Sequence, residues 1–190
     1  MLVLGHTGIT LGVATLLAGA VESRHSSQSS KVSWFTHLSS YVDIRLLLIG
    51  SLLPDIIDKP VGQYFFRETF SNGRIFSHTL LFLILITAAG FYLYKRHRKV
   101  WLLTLAAGTF MHLILDKMWQ APRTLVWPFL GTAFDRFELT GWASNILQAL
   151  FSNPEVYVPE AVGMVVLLWF GLSVVGRKRV GIFIKYGRAD

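Results

Sequence analysis

His6, Asp55, His78, His112 and Asp116 are ionisable side chains set within apolar stretches of a 190-residue chain. All five are types that ligate metals, and Asp58 is a sixth candidate. An ionisable side chain inside a bilayer costs at least a few kcal/mol, so it marks a functional site by default. Imidazole and carboxylate together suit a divalent ion, zinc first and manganese second. The chain has no cysteine, which excludes thiolate ligation and disulfides.

His112-Leu113-Ile114-Leu115-Asp116 is the sharpest local pattern. Residues four apart share a helix face, so both side chains can reach one ion. Alternatively Asp116 hydrogen-bonds the imidazole and sets its tautomer, or the pair only ties helices together. In Leu52-Leu53-Pro54-Asp55-Ile56-Ile57-Asp58-Lys59 two carboxylates lie three apart and project to one side of a helix. Close carboxylates repel unless a cation or a shared proton separates them. Asp58 is read either in this pair or as an interfacial residue paired with Lys59. Gly73-Arg74-Ile75-Phe76-Ser77-His78-Thr79 puts an arginine four residues before a histidine. Its planar fork suits a phosphate or a carboxylate, or it is an ordinary interfacial arginine. His6 is a lone histidine near the amino terminus.

Long apolar segments must carry these residues. The chain is 53% hydrophobic and 15% charged, with mean hydropathy +0.49, whereas soluble domains carry about 25% charge. This predicts an all-α, polytopic membrane bundle in a single domain, 1–190, with four or five transmembrane helices. Segments 2–21, 75–94, 100–119 and 156–175 are each long enough to cross a hydrocarbon core of about 30 Å. Segment 44–57 is shorter and is either a fifth span or a buried, re-entrant helix. Glu22–Ser40 reads as a polar loop that, with the 95–99 turn, places His25, His37 and His97 in solvent. Gln120–Glu155 reads as an interfacial loop with a short helix near Trp142–Phe151. Ala18-Gly19-Ala20 resembles a signal-cleavage site, but no Lys or Arg precedes the apolar run, so an uncleaved helix is expected.

If all five segments cross, twelve of the 18 Lys and Arg fall on one face and six on the other. The basic face is expected to be cytoplasmic in a multi-pass protein of the plasma membrane. All six candidate ligands then lie near the opposite, extracytoplasmic face, although only Lys and Arg were used to orient the chain. The net charge of +7 fits this asymmetry. No basic stretch interleaved with stacking aromatics points to nucleic acid.

The chain contains no Gly-rich phosphate loop, no Gly-x-Ser-x-Gly elbow and no His-Glu-x-x-His helix. Metal-activated water remains as a nucleophile.

Gly5-His6, Leu52-Leu53-Pro54-Asp55, Arg74 through His78-Thr79, His112 through Asp116 and Trp127-Pro128 occur in this order over about the first 130 residues. The ordered set resembles the YdjM-like family of membrane-bound, metal-dependent hydrolases, which is distantly similar to zinc-dependent phospholipase C enzymes. The resemblance implies a helical site of His and Asp ligands and phosphoester hydrolysis. The chain departs from the family pattern in three places. Asp55-Ile56-Ile57-Asp58-Lys59 stands where Asp-x-Asp-His is common, Gly73 where a histidine often precedes the arginine, and Trp119 where a small hydroxyl residue is common. Fewer ligands imply one metal where others hold two or three, or a site that no longer turns over.

The expectation is therefore a membrane-bound metal-dependent hydrolase acting on a phosphoester or ester of a membrane lipid or other amphiphile. His6, Asp55, His78, His112 and Asp116 would hold a divalent metal, most readily zinc. Arg74 would bind the substrate anion, and Asp58 would act as general base. Two other classes stay open: an ion- or proton-coupled transporter, and a structural membrane protein whose His–Asp contacts join helices. The absence of paired inverted repeats counts against transport. Oligomeric state is not legible.

Overall fold

Pro54 shapes the part of the fold that builds the site. Proline has no N–H and its ring crowds the carbonyl four residues back, so it kinks or breaks a helix. In the computed structural model, which describes residues 1–25, 38–39, 41–136 and 142–189, the expected helix 44–57 is accordingly two short helices. These are α2 (Ile44–Gly50) and α3 (Leu53–Lys59), with Pro54 in the first turn of α3. The break frees two carbonyls. The Thr109 hydroxyl donates to Gly50 O at 3.3 Å, and the His112 ring donates to Ser51 O at 2.7 Å.

The long elements are α1 (Val3–His25), α4 (Leu80–His97), α5 (Trp101–Leu115) and α8 (Pro154–Gly176). A π-helical turn at Pro60–Phe65, a 3-10 turn at Met118–Gln120, α6 (Pro122–Leu125), α7 (Trp142–Ser152) and α9 (Val180–Tyr186) complete the described elements, which include no strand. Among the described residues, 3–21, 80–97 and 154–176 are long and apolar enough to cross a membrane, and α5 is apolar but shorter. At 15 residues, α5 spans about 22 Å, less than a hydrocarbon core. It stops because Asp116 caps it and Lys117 takes a left-handed conformation, φ 52°. Segment 75–94 also starts later than the sequence suggests. Residues before Leu80 are non-helical, and the Thr79 hydroxyl caps α4 by accepting from Phe82 N at 3.0 Å. His78 therefore precedes the helix instead of lying one turn inside it.

The polar loop expected at Glu22–Ser40 begins later than Glu22, since α1 continues to His25; residues 26–37 and 40, His37 among them, lie outside the described residues. His97 ends α4 and is not in a loop. The short helix expected near Trp142–Phe151 is α7.

Glycines set the helix spacing at two crossings. A Cβ on Gly8 would collide with the backbone of Gly163, so α1 and α8 touch backbone to backbone, running parallel. A Cβ on Gly108 would meet Leu47 O at 2.5 Å and Ser51 N at 2.6 Å, so α5 lies equally close to α2. Small residues permit such approaches where lipid tails supply no drive for association. The ends then sort. The starts of α1, α4 and α8 and the end of α5 lie together, while the 97–101 turn and the 177–188 tail lie at the other end. There Gly187 O accepts from Ile44 N at 3.0 Å, and Asp43 caps α2 while pairing with Arg45 at 2.7 Å. Burial raises the Asp43 pKa, but its hydrogen bonds from Arg45 and that residue's charge outweigh burial and hold the carboxyl below its usual range.

At the first end, the Glu160 carboxylate of α8 accepts from Leu2 N at 2.6 Å and Leu4 N at 3.1 Å. It satisfies helix-start N–H groups that a membrane would leave without water, and its charge meets the positive end of the α1 dipole. Removing the carboxylate strands two donors. Glu160→Ala should destabilise the detergent-solubilised protein by about 2 kcal/mol or more, and Glu160→Gln by less. An unchanged thermal midpoint for Glu160→Ala would remove this latch from the account.

Candidate metal centre

Each of three imidazoles is held by its Nδ1. His6 Nδ1 meets Leu2 O at 2.8 Å, His112 Nδ1 meets Ser51 O at 2.7 Å, and His78 Nδ1 meets Asp58 Oδ2 at 2.7 Å. A carbonyl or carboxylate oxygen only accepts, so in each neutral ring the proton sits on Nδ1 and Nε2 carries a lone pair. The Nε2 atoms are turned inward. Those of His78 and His112 stand 3.2 Å apart. His6 Nε2 stands 3.1 Å from Asp116 Oδ1 and is buried without a hydrogen bond. The His6 and His112 rings stack with centroids 4.2 Å apart.

Carboxylates close the cluster. Asp55 Oδ1 lies 3.7 Å from His78 Nε2 and 3.9 Å from His112 Nε2. Asp116 Oδ2 lies 3.9 Å from both. The three histidine side chains have no exposed surface, Asp116 has 4% and Asp55 15%. Five acceptors thus face one another in a dry volume. Cations meet the carboxylates at the edge of the cluster, the Met1 ammonium at 3.3 Å and Arg74 at 2.9 Å from Asp116 and Lys59 at 2.6 Å from Asp55, while the space between the Nε2 lone pairs suits a further cation, either a proton or a metal ion.

The donor set fits a divalent metal. Two ligands on one zinc, each about 2.0–2.1 Å from it, stand about 2.8–3.4 Å apart at angles from right-angled to tetrahedral. The 3.2 Å and 3.1 Å pairs match that spacing, and the carboxylate distances are a few tenths of an ångström longer. Two overlapping trios, His6–His112–Asp116 and Asp55–His78–His112, have ligand atoms within 4.8 Å of one another. They share His112, whose single available lone pair serves one ion, so the geometry suits a single centre.

Asp58 sits behind the cluster. It is fully buried, and its oxygens accept from the backbone N–H groups of Ile75, Ser77 and His78, from the Ser77 hydroxyl and from His78 Nδ1, at 2.7–3.2 Å. These contacts fold the 75–78 segment around the carboxylate and aim His78 inward. Arg74 Nη2 pairs with Asp116 Oδ2 at 2.9 Å, and Lys59 pairs with Asp55 at 2.6 Å instead of with Asp58. Asn72 holds the arginine segment: its Oδ1 accepts from Arg74 N at 2.8 Å and its Nδ2 donates to Asp135 O at 2.7 Å. Phe70, Phe76, Trp127 and Phe134 pack edge-to-face or stacked beside it, with centroids 5.1–6.0 Å apart.

All seven residues singled out in the sequence therefore meet in or beside one cluster. The sequence reading missed Glu160, which latches the helix carrying His6. Its signal was plain: it is the lone acidic residue inside the apolar segment 156–175. It also missed Ser51, which works through its backbone carbonyl and so leaves no mark in residue type.

The chain is a helical membrane protein whose helix ends enclose a buried His and Asp cluster. A family described as YdjM inner membrane protein matches residues 1–180, and the chain belongs to that family. No curated protein and no solved structure matches it.

Asp58→Asn replaces one accepting oxygen with an amide that faces donors. It should cost roughly 2–4 kcal/mol of stability, given about 1–3 kcal/mol per buried donor left unpaired, and weaken zinc affinity about 10- to 100-fold by loosening His78. Calorimetry of zinc binding checks this; unchanged affinity in a destabilised variant would confine Asp58 to folding.

Proposed function

We propose that this protein is a membrane-bound, metal-dependent hydrolase acting on a phosphoester or other ester of a lipid or amphiphile. One observation carries the reading: three buried imidazoles, each with Nδ1 occupied, turn their Nε2 lone pairs toward one another and toward two carboxylates. A purely structural histidine would direct both nitrogens to partners; these direct one nitrogen each to a shared centre.

Of the five candidate ligands, His6, His78, His112 and Asp116 would hold the ion, which leaves a position for water and leaves Asp55 Oδ1 beside it; zinc suits this imidazole-rich set. Bound there, a zinc ion would act as a Lewis acid and lower the pKa of water to about 7. The chain's own residues divide the remaining work. Asp55 is the most accessible carboxylate of the set, and its Oδ1 faces the imidazoles while Lys59 holds Oδ2. With Oδ1 left off the ion, it would accept the proton of the attacking water there. The base role passes to it from Asp58, whose oxygens are already taken by five donors. Arg74 is 45% exposed and reaches the cluster through Asp116, so it can meet a substrate anion.

The level of the site supports a substrate drawn from the membrane. The loops at this end expose Tyr64, Phe65 and Phe129, each more than three-quarters accessible, as aromatic belts do at a membrane–water interface. The Lys- and Arg-rich 95–99 and 177–188 regions lie at the opposite end, which supports an extracytoplasmic site by the positive-inside rule.

Zinc-loaded protein in mixed micelles should hydrolyse a phospholipid or a simple phosphodiester. Asp55→Asn should lower kcat by about 10²- to 10⁴-fold, the usual contribution of a general base, and His112→Ala should reduce turnover to background. A zinc-replete, folded protein inactive on a panel of phosphoesters and carboxyl esters would argue against hydrolysis and favour a transport or structural role.

A further inference from the structure

We propose that Lys59 and Arg74 form a two-cation clamp that holds a phosphate group over the imidazole cluster. The idea rests on the metal-site reading above and names the group that the site receives.

The two cations come from different elements, the end of α3 and the loop before α4, yet each is joined to a carboxylate facing the same imidazole. Lys59 Nζ lies 2.6 Å from Asp55 Oδ2, and Arg74 Nη2 lies 2.9 Å from Asp116 Oδ2. The other Asp55 oxygen and that same Asp116 oxygen stand 3.7 Å and 3.9 Å from His78 Nε2. Lys59 and Arg74 are also the open part of the site, 37% and 45% exposed, while the cluster behind them is 15% exposed or less. An ammonium has three donors and a guanidinium five, so each keeps donors beyond its carboxylate contact for an approaching ligand.

Their positions are mutually fixed. A Cβ on Gly73 would meet Lys59 Cγ at 3.2 Å and collide with the Gln63 amide, so the lysine stem lies against the residue that precedes Arg74. A side chain at 73 would press on the Lys59 stem and displace the end of Gln63.

Charge indicates an anion. Without a metal, Lys59, Arg74 and the Met1 ammonium, which lies 3.3 Å from Asp116, offset the negative charge of Asp55 and Asp116. With a divalent ion shared by the ligands, that negative charge is already met, and positive charge at the open side of the site is left in excess. Geometry narrows the anion. The ligand must offer oxygens to a guanidinium, to an ammonium and to the reacting centre at once. A carboxylate has two oxygens and a phosphate group has more, so phosphate suits all three.

The test is calorimetric titration of inorganic phosphate into the full-length, zinc-loaded protein in detergent, beside Lys59→Met, Lys59→Arg and Arg74→Met. Binding should weaken about tenfold or more in each Met variant, the usual loss for a charge-assisted hydrogen bond. Zinc content should be unchanged, and Lys59→Arg should recover most of the affinity. Dihexanoyl phosphatidate and glycerol phosphate, titrated in parallel, separate the two sources of the group. Tighter binding of the acylated ligand identifies a lipid headgroup, and equal binding identifies a free phosphate. No phosphate binding by the zinc-loaded wild type would overturn the clamp. So would wild-type affinity in Lys59→Met, or loss of zinc from that variant, which would make Lys59 only a support for Asp55. A zinc-loaded wild type that binds phosphate through Lys59 and Arg74 yet hydrolyses no phosphoester would retain the clamp and refute the hydrolase reading.

Discussion

The fold is organised around the mutual repulsion of acceptors in a dry place. Three Nε2 lone pairs and two carboxylates point at one another within a few ångströms, among side chains that exclude water. Lys59 and Arg74 meet the carboxylates from outside, but no side-chain donor among the described residues stands between the Nε2 atoms, so the arrangement suits a cation in the middle and needs rigid support behind. Each Nδ1 supplies a share of the support, and each takes its partner from a different kind of local structure. Leu2 O belongs to a helix start, Ser51 O to a proline-induced break, and Asp58 to the last turn of α3, with the 75–78 loop folded around its carboxylate.

These partners explain features that would otherwise look unrelated. Pro54 interrupts a helix where an unbroken one would be more stable alone, and the freed carbonyls then bind α5. Gly8 against Gly163 draws α1 onto α8, which brings Glu160 to the first turn of α1 and stiffens the turn that carries His6. Helix ends do most of the positioning. Backbone groups are free there, and helix starts favour nearby carboxylates.

The site was more legible in the sequence than the fold. Ionisable residues inside apolar segments are conspicuous because membranes penalise them, so His6, Asp55, His78, His112 and Asp116 could be picked out without coordinates. Charge asymmetry among Lys and Arg grouped them at one end before any contact was known. Boundaries were less legible. The stop at Asp116 and the late start at Leu80 depend on capping geometry, which hydropathy does not report. The break at Ser51–Leu52 was half visible, since Pro54 announced it but not which side chains would claim the freed carbonyls. The role of Asp58 was hidden because residue type alone does not separate a carboxylate that faces a ligand from one that faces five donors.

The central claim is that the imidazole cluster encloses a metal ion and not a shared proton. Elemental mass spectrometry on detergent-purified protein tests it directly, comparing the wild type with a His112→Ala variant shown to be folded by circular dichroism. The account predicts close to one zinc or manganese per chain in the wild type and a large loss in the variant. A wild type that holds no metal after reconstitution would contradict it, and would leave the three histidines sharing a proton.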